Sequence, residues 1–227
     1  MRINIYRLLS VFITAASLSS SGEYQRAQKS TDPNYKFEFA KRAFEQKKYV
    51  QAATILEEIA PVFKGHERAE ETLYLLAMSN YENRDYDTAG AYFRTYYSRY
   101  PKGKYAELAR FYCGYGYYLS SPEPQLDQTG TIKAIEELQA FLDFFPRSDK
   151  VSIAQNAIFE LQDKLTLKQL QNAQLYYNLG TYMGNNYESA IIVARNAIKD
   201  YPYSKYKEDL ELLILKSRYQ EADLSVD

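Results

Sequence analysis

Asp85-Tyr86-Asp87-Thr88-Ala89-Gly90-Ala91-Tyr92-Phe93 opens a segment that closes at Tyr100-Pro101. Alanine stands three residues after the opening tyrosine, Phe93 lies one turn further on, and the closing aromatic comes fourteen residues after the opening one. This spacing predicts an amphipathic helix whose small face, at Ala89, lets a neighbouring helix approach closely. Pro101 lacks a donor and holds the residue before it away from helical angles, so the helix ends there. The register recurs three more times: Tyr49, Ala52 and Phe63; Thr131, Ala134 and Phe145; Tyr187, Ala190 and Tyr201. Pro146 and Pro202 follow the later closing aromatics, while Lys64 holds that place in the first.

A register repeated at this interval marks a solenoid of helix pairs, an architecture that binds along a surface rather than reacting in a pocket. A further helix follows each closing proline. After Lys102-Gly103-Lys104-Tyr105, the run Ala106 to Leu119 carries Leu108, Phe111, Tyr112, Tyr115, Tyr118 and Leu119 at helical spacings. Gly114 within it costs about 1 kcal/mol relative to alanine, so close helix packing is expected there. The step from Tyr49 to Tyr86 is 37 residues, near the roughly 34 of a tetratricopeptide unit. Ala89, Phe93, Tyr96 and Pro101 resemble a tetratricopeptide second helix, with the large Tyr96 at a position that is small in that family. In the fourth unit Ala190, Ala194, Ala197 and Pro202 keep the small residues and lose the bulky one. The expected fold is all-α, a right-handed tetratricopeptide solenoid of about nine helices over residues 33–222, preceded by a linker at 21–32 and followed by a tail at 223–227.

Unequal steps locate the irregularities. Between Tyr86 and Thr131 the excess lies at Ser120 to Gln128, a turn-rich loop containing Pro122 and Pro124. Between Thr131 and Tyr187 the excess lies after Ser148, with no proline and no glycine before Gly180, which predicts one long helix or two nearly end to end.

Residues 1–20 read as an export signal: Arg2 and Arg7 form a basic start, and Leu8 to Leu18 is apolar but too short to span a bilayer. Leu18-Ser19-Ser20-Ser21 resembles a bacterial lipoprotein box except at its last position, where the lipid-bearing cysteine is replaced by Ser21. A serine hydroxyl cannot form the thioether, so acylation needs Cys at 21. An ordinary signal cut after Ser19 is the other reading of the same residues.

Chemistry in a site finds little support. The chain has 28 basic and 29 acidic residues, and removal of residues 1–20 leaves a mildly acidic remainder with no nucleic-acid footprint. Cys113 is the only cysteine, set among aromatics as a packed, inert thiol, so no disulfide can form within the chain. His66, the only histidine, reads as a solvated cap at a helix start. Glu57-Glu58, Glu70-Glu71 and Glu136-Glu137 are adjacent pairs, which diverge by about 100° on a helix and cannot converge on a reacting atom. No enzyme, cofactor or metal is expected.

Ser30-Thr31-Asp32-Pro33, Lys36 to Lys41, Arg68-Ala69-Glu70-Glu71, and Ser121 to Thr129 followed by Lys133-Ala134-Ile135 resemble the BamD family of outer-membrane β-barrel assembly lipoproteins. The last stretch is similar to Bacteroidetes members, and the resemblance runs from Ser30 to about Ala222. It implies a scaffold at the periplasmic face of the outer membrane, lipid-anchored if position 21 is Cys and otherwise soluble in the periplasm. The partners it implies are the periplasmic domains of the central barrel protein and targeting segments of unfolded outer-membrane proteins. If first helices line the concave face, Phe37, Lys41 and Phe44, then Tyr74, Met78 and Tyr81, then Phe111, Tyr115 and Tyr118 form the peptide groove. There aromatics would supply contact area, and lysine could pair with a terminal carboxylate. The alternative for these aromatics is packing between helices. The alternative function is a soluble periplasmic tetratricopeptide adaptor in cell-envelope or division coordination.

Overall fold

The computed structural model describes residues 22–224, so the expected export signal, Ser21 and residues 225–227 lie outside it. Among the described residues the chain is all-helical, with no strand. The order is α1 (residues 22–29), α2 (Pro33–Glu45), α3 (Tyr49–Ile59), α4 (Ala69–Glu82), α5 (Tyr86–Arg99), α6 (Ala106–Leu119), α7 (Thr129–Phe144), α8 (Val151–Leu179), α9 (Asn186–Asp200) and α10 (Lys207–Leu224). Two compact units divide within α6, between Tyr112 and Cys113.

The first unit shows why the register works. Ala52 and Ala89 are buried, letting α3 and α5 sit close to their partners, and Phe37, Phe39, Ala40 and Ala43 of α2 pack on Ile55, Leu56 and Ile59 of α3. Three-residue turns join α2 to α3 and α4 to α5. In each turn one residue adopts the left-handed conformation, Lys47 (φ 60°) and Arg84 (φ 64°). The next N–H reaches back over a whole turn, from Lys48 to Ala43 O at 2.8 Å and from Asp85 to Asn80 O at 2.9 Å, which satisfies a carbonyl orphaned by the helix end. Asp32 caps α2 by accepting from Asn34 N at 2.9 Å, and Asp85 caps α5 by accepting from Thr88 N at 3.2 Å.

Two expectations change here. Residues 22–29, read from the sequence as linker, are helical. Ala27 is fully buried, Tyr24 stacks on Phe39 with ring centres 5.9 Å apart, and Lys36 is held under the helix by Gln28 O at 3.3 Å and by the Glu58 carboxylate. Two turns are too few to show a helical period. Phe63 does not end a helix either: α3 stops at Ile59, and Phe63 is a buried ring set edge-on to Phe37 at 6.0 Å.

Tyr96, the large residue at a small position, is wholly buried. Its hydroxyl donates to Glu70 Oε1 at 2.5 Å and accepts from Tyr105 N at 2.9 Å, while the same Glu70 oxygen accepts from Lys104 N at 2.7 Å. A Cβ on Gly103 would lie 2.7 Å from that hydroxyl and still closer to Glu70 Oε1, so only glycine fits the turn. Glu70 thus ties the turn after α5 to the start of α4.

The second unit repeats the device. Asp163 Oδ1 of α8 accepts from Ser204 Oγ at 2.7 Å and Lys205 N at 3.1 Å, in the corresponding turn Pro202-Tyr203-Ser204-Lys205-Tyr206. The residues before the three prolines, Tyr100, Phe145 and Tyr201, share one conformation (φ −123°, −128° and −131°; ψ 63°, 57° and 66°), outside the α region that the following proline ring disfavours. Gly114 does mark a close approach: a Cβ there would meet the Leu138 side chain at 2.8 Å and its backbone nitrogen at 2.9 Å. The extra length before the fourth unit is one helix, α8, of 29 residues. The alanine-rich face of α9 explains its missing bulky residue, because Ala194 and Ala197 pack with Ala173, Leu210 and Leu213 of the flanking helices.

Candidate functional site

The sequence-predicted groove residues fall on both units and are built differently in each. In the first unit α2 and α4 share a face that is crossed by two ion pairs. Lys41 Nζ lies 2.9 Å from Glu71 Oε1, and Arg68 Nη1 lies 3.1 Å from Glu38 Oε1. Both cations also sit over the Phe37 ring, Lys41 at 5.5 Å and Arg68 at 4.9 Å from its centre. The hydrogen bond to Glu71 holds the Lys41 ammonium above its ordinary pKa, against the opposing effect of burial. Phe37 itself is buried beneath them, so the face offers its cations rather than the ring.

Tyr74 and Met78 are buried too, as is Phe111. Tyr74 stacks on Tyr105 with ring centres 4.2 Å apart and planes 5° from parallel, and meets Tyr96 edge-on at 5.9 Å. Burial raises its phenol pKa well above the ordinary value. Tyr81 is half-buried and touches Tyr86, Phe93 and Tyr112 at 5.4, 6.3 and 4.9 Å. Phe44, also half-buried, lies edge-on to Tyr49 at 5.4 Å. Tyr74, Tyr81, Phe93, Tyr96, Tyr105 and Tyr112 form one aromatic stack in which most of the area is turned to neighbours, Phe44 pairs separately with Tyr49, and Lys41 with the rims of Phe44 and Tyr81 is what meets solvent.

In the second unit Tyr115 and Tyr118 are half-buried neighbours with ring centres 5.1 Å apart. Tyr118 donates to Glu160 Oε2 of α8 at 2.5 Å, and that bond, with burial, pushes its pKa up to about 12. Tyr118 and Glu160 border a cavity of about 550 Å³ with Ser121, Lys164 and Lys205. The loop at residues 120–128 fixes that cavity's wall. Gln128 Nε2 donates to Glu123 O at 2.8 Å, Thr131 Oγ1 donates to Gln128 Oε1 at 2.7 Å, and Lys164 Nζ donates to Ser121 O at 3.1 Å and Oγ at 2.9 Å.

Sequence reasoning missed three participants: Arg68, Glu71 and Tyr105. The first two stand in a stretch already singled out for its resemblance, and Tyr105 in the Lys-Tyr pair that recurs at Lys205-Tyr206. In both pairs the lysine lies over the following ring, at 5.1 and 5.2 Å. His66 is exposed and caps, its Nδ1 accepting from Arg68 N at 3.2 Å, and Cys113 is buried. Among the described residues no group of three His, Cys, Asp or Glu side chains could hold a metal, and no helix is long and apolar enough to cross a membrane.

No curated protein matches the chain. A family match covers residues 29–185, which include the α2/α4 face, the aromatic stack and the loop at 120–128. By that match, over well more than half its length, the chain belongs to the YfiO family of outer membrane lipoproteins.

Proposed function

We propose that the chain is a non-enzymatic scaffold of the machine that assembles β-barrel proteins in the outer membrane, working at the periplasmic face. In this reading the repeats after Thr131 dock on the periplasmic domains of the central barrel protein, and the first-helix face of the N-terminal repeats receives targeting segments of unfolded outer-membrane proteins. Family membership supports the compartment. The observation that supports peptide capture is the α2/α4 face, where Lys41 and Arg68 stand over an aromatic ring in ion pairs that are partly exposed. Such pairs contribute only about 0–1 kcal/mol, so an incoming carboxylate can replace Glu71 or Glu38 at little cost. Neither a cofactor nor a metal enters the reading.

Fluorescence anisotropy with a labelled peptide ending in phenylalanine and a free carboxylate tests the capture. Lys41→Gln should weaken binding several-fold while amidation of the peptide weakens it similarly, and unchanged affinity in both would refute the assignment. Affinity capture from detergent-solubilised outer membranes tests the docking; recovery of no large β-barrel protein would sink it. Ser21→Cys should bring the chain into the membrane fraction and allow fatty-acid labelling.

A further inference from the structure

Lys64 stands where the later repeats carry proline, and the proline of the first repeat stands at Pro61 instead. Because α3 stops at Ile59, the chain turns away early and leaves a groove between the ends of α3 and α5. It consists of two adjoining cavities of about 390 and 290 Å³ that share Ala60, Lys64, Leu73 and Arg99. Leu73 and Leu76 of α4 form the floor, and Pro61 a wall. Lys64 and Arg99 are exposed, and neither makes an ion pair among the described residues. At the other end the Glu57 carboxylate is occupied, accepting from Tyr92 Oη at 2.9 Å. The groove is therefore polarised: two cations without carboxylates at one end, a short apolar floor, and an engaged carboxylate at the other.

We propose that this groove, walled by second helices over a floor from α4 and separate from the α2/α4 face, binds a polypeptide segment presenting one carboxylate beside a large apolar side chain. The carboxylate lies between Lys64 and Arg99, where charge complementarity places it. The apolar side chain lies on Leu73 and Leu76. A floor of this size takes one side chain and is too short for an acyl chain, and Glu57 disfavours a second anionic group, which together favour a peptide over an anionic lipid.

The test uses fluorescein-labelled hexapeptides Ser-Gly-Asp-Phe-Gly-Ser and Ser-Gly-Asn-Phe-Gly-Ser, both amidated so that no terminal carboxylate can occupy the α2/α4 face. The full chain should bind the aspartate peptide at least tenfold tighter than its asparagine twin. Lys64→Glu with Arg99→Glu should abolish that preference, whereas Lys41→Gln should leave it intact. Equal binding of the two peptides, or a preference surviving Lys64→Glu/Arg99→Glu, overturns the proposal. So does binding of anionic phosphatidylglycerol vesicles, lost in that double variant, without a peptide preference. Both substituted residues are exposed, and an unchanged thermal midpoint in the double variant confirms that the loss is local.

Discussion

Tyr96→Phe isolates the compensation that lets a large residue occupy a small position. The substitution keeps the buried ring and deletes only the hydroxyl, which donates to Glu70 Oε1 at 2.5 Å and accepts from Tyr105 N at 2.9 Å. A hydrogen bond to a charged group contributes about 1.5–3 kcal/mol, and a neutral one about 0.5–1.5 kcal/mol. Glu70 keeps its bond from Lys104 N, so its charge is not abandoned. A loss of about 2–4 kcal/mol in urea unfolding is expected on these figures. Tyr92→Phe is the control, because its hydroxyl meets the exposed Glu57 and its loss should cost under about 1 kcal/mol. Alkaline pH provides a second readout. Burial, then the bond to Glu70, raises the Tyr96 pKa above the ordinary tyrosine value, so the folded chain favours the protonated phenol. The stability linked to it is complete below about pH 10 and is lost as the pH rises through the folded pKa. Tyr96→Phe should therefore lose stability at pH 7 and show a shallower decline above pH 10. Equal costs for Tyr96→Phe and Tyr92→Phe at pH 7, with Tyr96→Phe declining above pH 10 as steeply as the parent, would refute the reasoning.

Gly114→Ala should destabilise by about 1–3 kcal/mol despite alanine's better helix propensity, because the added Cβ strikes the Leu138 backbone; a thermal midpoint at or above that of the parent would contradict this. Arg84→Gly should stabilise by roughly 0.5–1 kcal/mol, since glycine adopts the left-handed angles at no steric cost, and denaturant titration reads the gain. Tyr74→Ala should cost about 3–5 kcal/mol, because it empties a buried site stacked on Tyr105. A well-folded Tyr74→Ala variant that has lost peptide binding would instead return Tyr74 to the groove.

The helix-pair architecture was legible because its signals are local: an alanine one turn into each second helix, and a proline whose ring ends the helix at the residue before it. Gly114 was legible for the same reason, as a helix breaker kept in an aromatic run. What stayed hidden depends on partners far apart in the chain. Glu70 meets Tyr96 and Lys104 across 26 and 34 residues, and Lys41 meets Glu71 across 30, distances at which no period in the sequence operates. The groove residues show a different limit. A first helix in a stack of pairs must pack on its own partner and on the next pair, so aromatics at successive turns are drawn into both contacts. Phe37, Tyr74 and Met78 are buried for that reason. Helical spacing identifies the face of a helix that is apolar, but whether that face meets solvent depends on the width of the neighbouring side chains. Here Tyr105 and Tyr96, both from the following segment, cover Tyr74, whereas Lys41 keeps its ammonium at the surface, where water and Glu71 both solvate the charge. In the peptide capture proposed above, recognition therefore rests more on the two cations over Phe37 than on exposed aromatic area.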